Sequence, residues 1–220
     1  MNRIEIPDSF LYEFNLDQQI VSNALDNFLS LKKYWHSSET STNLIKRLKI
    51  CYLKKDNEPV SVFYDKPLYE EIDKCLQEVS TIHFQNQKLS ITDAWWTVAQ
   101  KGEESIYHYH SNSLFSGIIY FHNSKTPIEF KINDPFVDKW NDIFSKNVAI
   151  KPLSYNFNIF PSPGKMYIWR SDIIHRVCIH GEESIRYSFA FNTWLDGETS
   201  DAAGGRQKMS IQTNYFKLNE

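Results

Sequence analysis

The sequence predicts a mainly β protein, a sandwich or jelly roll braced by N-terminal helices. From Leu89 onward, short β-rich runs follow one another at 89–99, 104–109, 116–122, 127–132, 155–160, 165–170, 174–180 and 184–195, with a further candidate at 209–218. Turn clusters separate them, among them Gln100-Lys101-Gly102, His122-Asn123-Ser124 and Pro161-Ser162-Pro163-Gly164. Many short strands at this spacing are the pattern of two facing antiparallel layers. The 220 residues, 41% hydrophobic and 15% aromatic, provide enough apolar material for one core, so a single domain spanning 1–220 is expected.

Taken in order, residues 17–34 read as a helix. Asp17 is its N-cap, and Ile20, Ala24, Leu25, Phe28, Leu29 and Leu31 recur at mostly helical spacing. Residues 50–53 and 60–63 read as strands flanking the turn at 55–59. A second helix is expected from Lys66-Pro67, with Leu68, Ile72, Cys75, Leu76 and Val79 as its apolar stripe. Residues 1–88 thus form a helical and hairpin layer, and 89–220 form the β core. One amphipathic helix is expected after Asp134-Pro135, with Phe136, Trp140, Ile143 and Phe144 on one face. The small, polar segment 196–208, with Gly204-Gly205, reads as a mobile loop.

A net charge of -3 exerts no general pull on nucleic acid or on an anionic membrane. Cys51, Cys75 and Cys178 are widely spaced, which fits neither a disulfide framework nor a zinc knuckle. The first eight residues lack the apolar stretch of a secretion signal, and no run approaches the roughly 18 apolar residues of a membrane span. A soluble protein of the reducing cytoplasm is expected.

The chemistry concentrates in three segments. In a strand, residues two apart share a face, so His108 and His110 can project into one cavity and bite one metal. The bland reading of such a pair is two exposed imidazoles on an edge. His175 follows the polar turn Arg170-Ser171-Asp172 at the start of the next strand, the position of a barrel mouth. A core histidine with satisfied hydrogen bonds is the plain alternative there. Imidazole suits iron, zinc, copper and nickel, so these three ligands do not name the ion. Arg186 and Ser188 share one face of the following strand. An inward Arg among Tyr187, Phe189 and Phe191 is costly unless it meets an anion, which it can hold through two parallel hydrogen bonds. The alternative is an exposed Arg paired with Glu183.

In order and spacing these motifs resemble the 2-oxoglutarate and Fe(II)-dependent oxygenases, and more closely a group of such proteins common in bacteria and phages. The matching residues run from His108-x-His110 through Ser116-Gly117-Ile118-Ile119-Tyr120-Phe121 and Asp134-Pro135 to His175-x-Val177 and Arg186-x-Ser188-x-Ala190-Phe191-Asn192, roughly 92–195. The resemblance implies a double-stranded β-helix, the cupin-like jelly roll. It also implies a dioxygenase that couples decarboxylation of 2-oxoglutarate to succinate with hydroxylation of a second, unidentified substrate by O₂. By the same resemblance His108 and His175 are Fe(II) ligands, and Arg186 with Ser188 grips the distal carboxylate of 2-oxoglutarate. Tyr120 is a further hydrogen-bond candidate toward that cosubstrate, or else a core aromatic. The superfamily usually carries H-x-D or H-x-E at the first motif. Here His110 holds the carboxylate position, either as the third ligand of a neutral three-His site or standing aside from an open position. Asp134 is a remote carboxylate, better suited to stabilising its own turn. Trp95, Trp96, Tyr107 and Tyr109 are candidates for the pocket wall or for the core. Two other classes remain: a cupin-type metal enzyme without 2-oxoglutarate, and a non-enzymatic jelly-roll binding module. The cupin reading has Gly102 before His108-x-His110, but Leu114 and Phe115 stand where its Glu belongs.

Overall fold

A computed structural model describes residues 1–6, 9–32, 35–38, 49–55, 58–60, 65–85, 87–132, 155–200 and 206–209. Its elements, in chain order, are β1 (Asn2–Ile6), β2 (Ser9–Asn15), α1 (Gln18–Ser30), β3 (Trp35–Ser38), β4 (Lys49–Lys55), β5 (Glu58–Val60), α2 (Lys66–His83), β6 (Leu89–Ala99) and β7 (Phe115–Tyr120). There follow β8 (Ile128–Ile132), β9 (Tyr155–Ile159), β10 (Lys165–Arg170), β11 (Ile174–Val177), β12 (Arg186–Leu195), β13 (Gly197–Ser200) and β14 (Arg206–Met209). The first helix begins where the sequence places it, because the Asp17 carboxylate accepts from the Gln19 and Ile20 backbone N–H groups at 2.8 and 3.1 Å. Asp65 caps α2 through the Leu68 N–H at 3.1 Å and also accepts from Asn27 of α1 at 2.9 Å, which ties the two helices together.

The large sheet runs β1-β2-β10-β7-β12-β6-β4-β3, with β5 on β4, and its pairings are antiparallel. The small sheet runs β11-β8-β9. One face of the large sheet carries α1 and α2 over a core that includes Phe28, Leu68, Ile72, Leu76, Trp96, Ile119 and Phe189. The other face packs on the small sheet through Leu11, Ile118, Tyr120, Ile128, Phe130, Ile159, Tyr167 and Trp169. This is the expected jelly roll, and its interior between the sheets holds the candidate functional residues.

Four differences from the sequence expectation have physical reasons. Strands β1 and β2 were not foreseen, although Phe10, Tyr12 and Phe14 alternate at strand period; β2 pairs with β10 inside the large sheet. Residues 104–109 are not a strand, because the segment meets β11 through an isolated bridge at His108↔His175 and its other hydrogen bonds are irregular. The expected loop 196–208 carries paired strands in its described residues: β13 and β14 pair antiparallel. Helix α1 ends at Ser30 rather than at 34. The expected helix after Asp134-Pro135, Asp134 itself and most of 209–218 lie outside the described residues.

Gly117, on β7, sits opposite Phe191 of β12. A Cβ at Gly117 would lie 2.2 Å from the Phe191 ring, so glycine is required there by a close approach. Gly117→Ala is expected to cost about 1–3 kcal/mol by overpacking. A lowered urea midpoint with an unchanged slope would show it, and an unchanged midpoint would mean that the ring moves freely aside.

Candidate functional site

Residues 100–114 run beside 171–180 as an irregular partner of the small sheet. Gly102 N–H donates to the His180 carbonyl at 2.7 Å, and Ser105 N–H to the Val177 carbonyl at 3.0 Å. His108 and His175 exchange both backbone bonds at 2.9 Å, and His110 N–H donates to the Ser171 carbonyl at 2.9 Å. This stitching brings the three imidazoles together. Their nearest ligating nitrogens all lie within 4.8 Å of one another, and the ring centroids are 4.4 to 5.2 Å apart.

The ring orientations suit a cation. His108 Nδ1 lies 2.8 Å from the Ile106 carbonyl and His175 Nδ1 lies 2.9 Å from the Ile173 carbonyl. A carbonyl only accepts, so each Nδ1 carries the proton and each Nε2 keeps its lone pair for a metal. No hydrogen bond engages the His110 ring among the described residues. Trp169 and Phe130 wall His175 at centroid distances of 4.9 and 5.8 Å. Burial, with His108 nearby, pushes His175 down to about 3 and His110 down to about 4. Both are therefore neutral near pH 7, the form that ligates metals.

A cavity of about 360 Å³ opens on this cluster, lined by residues that include Asp93, Trp95, Thr97, Ser116, Ile118, Trp169, Ala190 and Asn192. Of the four aromatics considered for the wall, only Trp95 lines it. Trp96 is turned to the helices and stacks on Phe28 at 4.1 Å, and Tyr107 and Tyr109 are exposed. Beyond Thr97, without lining the cavity, lie Arg186, Ser188 and Tyr120. Arg186 is 3% exposed, and among the described residues its guanidinium makes one long bond, 3.3 Å, to the Thr126 carbonyl. The exposed pairing with Glu183 does not occur, since Glu183 pairs with Lys101. Ser188 hydrogen-bonds Thr97, and Ser188 is paired in register with Tyr120. The Tyr120 hydroxyl is fully buried without a partner among the described residues, and burial pushes it up to about 12. A guanidinium with most of its donors unused beside an orphaned hydroxyl is a cradle for an anion.

Sequence reasoning missed Glu129. On the outer side of the small sheet it receives the Tyr107 hydroxyl, Arg176 Nε at 2.7 Å and Asn156 Nδ2 at 2.9 Å. Arg176 also lies 4.6 Å over the Tyr107 ring. Tyr107 precedes His108 and Arg176 follows His175, so this cluster clamps the two histidine segments together from outside. Its only sequence trace was charge alternating with apolar residues in Ile128-Glu129-Phe130-Lys131. The Tyr107 bond above all, with Arg176 adding to it, holds the Glu129 carboxyl below its usual range. Because the unfolded chain binds that proton more readily, the stabilisation is complete above the ordinary carboxylate range. It is lost as pH falls through the depressed value. Glu129→Gln is expected to flatten this acid-side loss in a melting-temperature series; an unaltered profile would place the acid sensitivity elsewhere.

Residues 93–192 match a family model described as "Putative 2OG-Fe(II) oxygenase". No curated protein matches the chain by sequence. Among solved structures, the non-heme alpha ketoglutarate dependent epimerase SnoN from nogalamycin biosynthesis superposes with a TM-score of 0.57 at 9% identity, covering 86% of this chain and 79% of that one. A Trichoplax adhaerens prolyl hydroxylase in complex with a hypoxia inducible factor peptide gives 0.53 at 12% identity, covering 84% and 83%. A 2OG-Fe(II) oxygenase family protein of Burkholderia pseudomallei gives 0.52 at 9%, covering 83% and 84%. At such identities the likeness is one of fold, the double-stranded β-helix. No described helix is long and apolar enough to cross a membrane. The family match falls on the segment that carries the histidine cluster and the buried arginine: residues 93–192 are similar to the 2OG-Fe(II) oxygenases, and that similarity covers the residues from which the site is built.

Proposed function

We propose that His108, His110 and His175 hold Fe(II), and that Arg186, Ser188 and Tyr120 receive the distal carboxylate of 2-oxoglutarate. The observation that carries this reading is the cluster of three imidazoles within 4.8 Å at the cavity, two of them with Nε2 left free by Nδ1 bonds to backbone carbonyls. Bound there with O₂, Fe(II) and 2-oxoglutarate supply an oxidation of a substrate C–H bond coupled to decarboxylation of the keto acid to succinate. The chain's own part is to bind, orient and exclude water. Arg186 and the Tyr120 hydroxyl set the depth and direction of the diacid. Reaching them requires the Thr97 and Ser188 hydroxyls to turn from each other toward the ligand, which leaves Ser188 free to donate. Trp169 and Phe130 keep water from the His175 side. With no carboxylate among its three ligands, the site leaves the dication's charge to be balanced by the dianionic cosubstrate. Metal and 2-oxoglutarate should therefore strengthen each other's binding by the same factor.

The neighbours named above include an enzyme of small-molecule biosynthesis and one bound to a peptide. The primary substrate is thus set by this chain's own cavity wall rather than by the fold. The test is anaerobic. Protein, Fe(II) and 2-oxoglutarate together should give the weak visible charge-transfer band of a chelated keto acid, and omission of either component should remove it. Bound iron without the band would favour a cupin-type site. Neither band nor iron would leave a jelly-roll scaffold.

A further inference from the structure

At the cavity end remote from Arg186, the pairing of β6 with β12 slips by one residue. Asn192 pairs with Asp93 but Thr193 pairs with Ile91, so Thr92 is extra. A bulge reverses the in–out alternation of the strand that carries it. Before it, Leu89 and Ile91 face the helix-packed core; after it, Ala94, Trp96 and Val98 do. The reversal puts Asp93 and Trp95 on the cavity wall. Without the bulge, the alternation would drive the Asp93 carboxylate into the apolar core.

The Asp93 carboxylate is half-buried and has no ion-pair partner among the described residues. Asn192, its partner in register, uses its carbonyl oxygen to accept from Ser116 Oγ at 2.8 Å. Sheltering a carboxylate in an aromatic-walled cavity without a cation is costly, unless a ligand brings the cation. Trp95, on the same face and two residues along, offers the aromatic surface that attracts one. Arg186 and Asn192 are six residues apart on β12, about 20 Å at strand rise. That span is longer than a five-carbon diacid, so Asp93 is not part of the cosubstrate anchor.

We propose that Asp93, with Trp95 beside it, is the recognition group for the primary substrate and receives an alkylammonium or guanidinium group, so that the substrates of this enzyme are amines. The proposal rests on the oxygenase reading of the site and adds the class of substrate to it. The cation is either that of a free amine or the side chain of a peptide.

The test uses the full chain loaded with Zn(II), which is redox-inert, and 2-oxoglutarate. Affinities for n-butylammonium and for n-butanol are measured by saturation-transfer NMR. In parallel, acetyl-Gly-Lys-Gly-amide is compared with its norleucine counterpart. The cation should bind at least about tenfold more tightly than its neutral isostere, and Asp93→Asn should remove the difference. A stronger preference in the peptide pair than in the free pair would identify a protein source, and the reverse a small molecule. Equal binding of cation and isostere by the unaltered protein in both pairs would overturn the proposal, whatever the variant does. So would a preference that survives in Asp93→Asn. Calorimetry of 2-oxoglutarate on the same samples separates the two readings. Cosubstrate binding without cation preference overturns the amine assignment alone. Cation preference without cosubstrate binding keeps the cation site and overturns the oxygenase assignment.

Discussion

His175→Ala should weaken Fe(II) binding by at least about 100-fold, beyond the 10–100-fold typical of losing an outer partner of a metal site. His175 is 3% exposed, with its Nδ1–H spent on the Ile173 carbonyl, so no rotation of another described side chain replaces its Nε2. Anaerobic titration with a competing chelator measures the effect. Retention of iron at unaltered affinity would exclude His175 as a ligand. His110 separates the two arrangements left open by the sequence. If it ligates, His110→Ala should also weaken iron markedly, while His110→Asp should restore binding through a carboxylate and lessen the dependence of metal affinity on 2-oxoglutarate. Tight iron in both variants would mean that His110 stands aside.

Arg186→Ala should lower 2-oxoglutarate affinity by about 100-fold, the loss expected from two charge-assisted hydrogen bonds at a dry site. Iron affinity measured without the cosubstrate should not change, since Arg186 lies beyond Thr97 and away from the histidines. Arg186→Lys keeps the charge but not the planar fork, and should recover only part of the loss. Calorimetry with the Zn(II)-loaded protein reads all three. An unaltered 2-oxoglutarate affinity in Arg186→Ala would move the anchor elsewhere. The wild-type guanidinium already bears a burial penalty, for burial lowers its pKa, offset in part by nearby Tyr120 and Glu182, and the long Thr126 bond is its one backbone hydrogen bond among the described residues. The position is thus costly to the fold, as befits a group kept for a ligand.

Much of the architecture was legible along the chain because strand and helix periods are local. The Asp17 cap, Pro67 at the start of α2, and most strands from Leu89 onward follow from residue spacing alone. The candidate site was legible where chemistry is concentrated: the three histidines, Arg186 and Ser188 are rare or costly in their settings. Tyr107 and Tyr109, by contrast, looked like wall aromatics and are exposed, because the segment that carries them is not a strand and lacks a strand's regular alternation.

The sequence by itself determined the β-rich architecture, the two helices and the identity of the chemically able side chains, since these depend on periodicity and residue type. Tertiary structure decided what no local pattern encodes. It drew the irregular 100–114 segment onto β11 so that His110 joins His108 and His175. It bound the two histidine segments from outside through Glu129. Through one extra residue at Thr92, it turned Asp93 out of the core and into the cavity. The physical reason is common to all three: register between segments far apart in the chain is set by backbone pairing and side-chain packing across the sheet. A shift of one residue there exchanges the faces of every residue that follows.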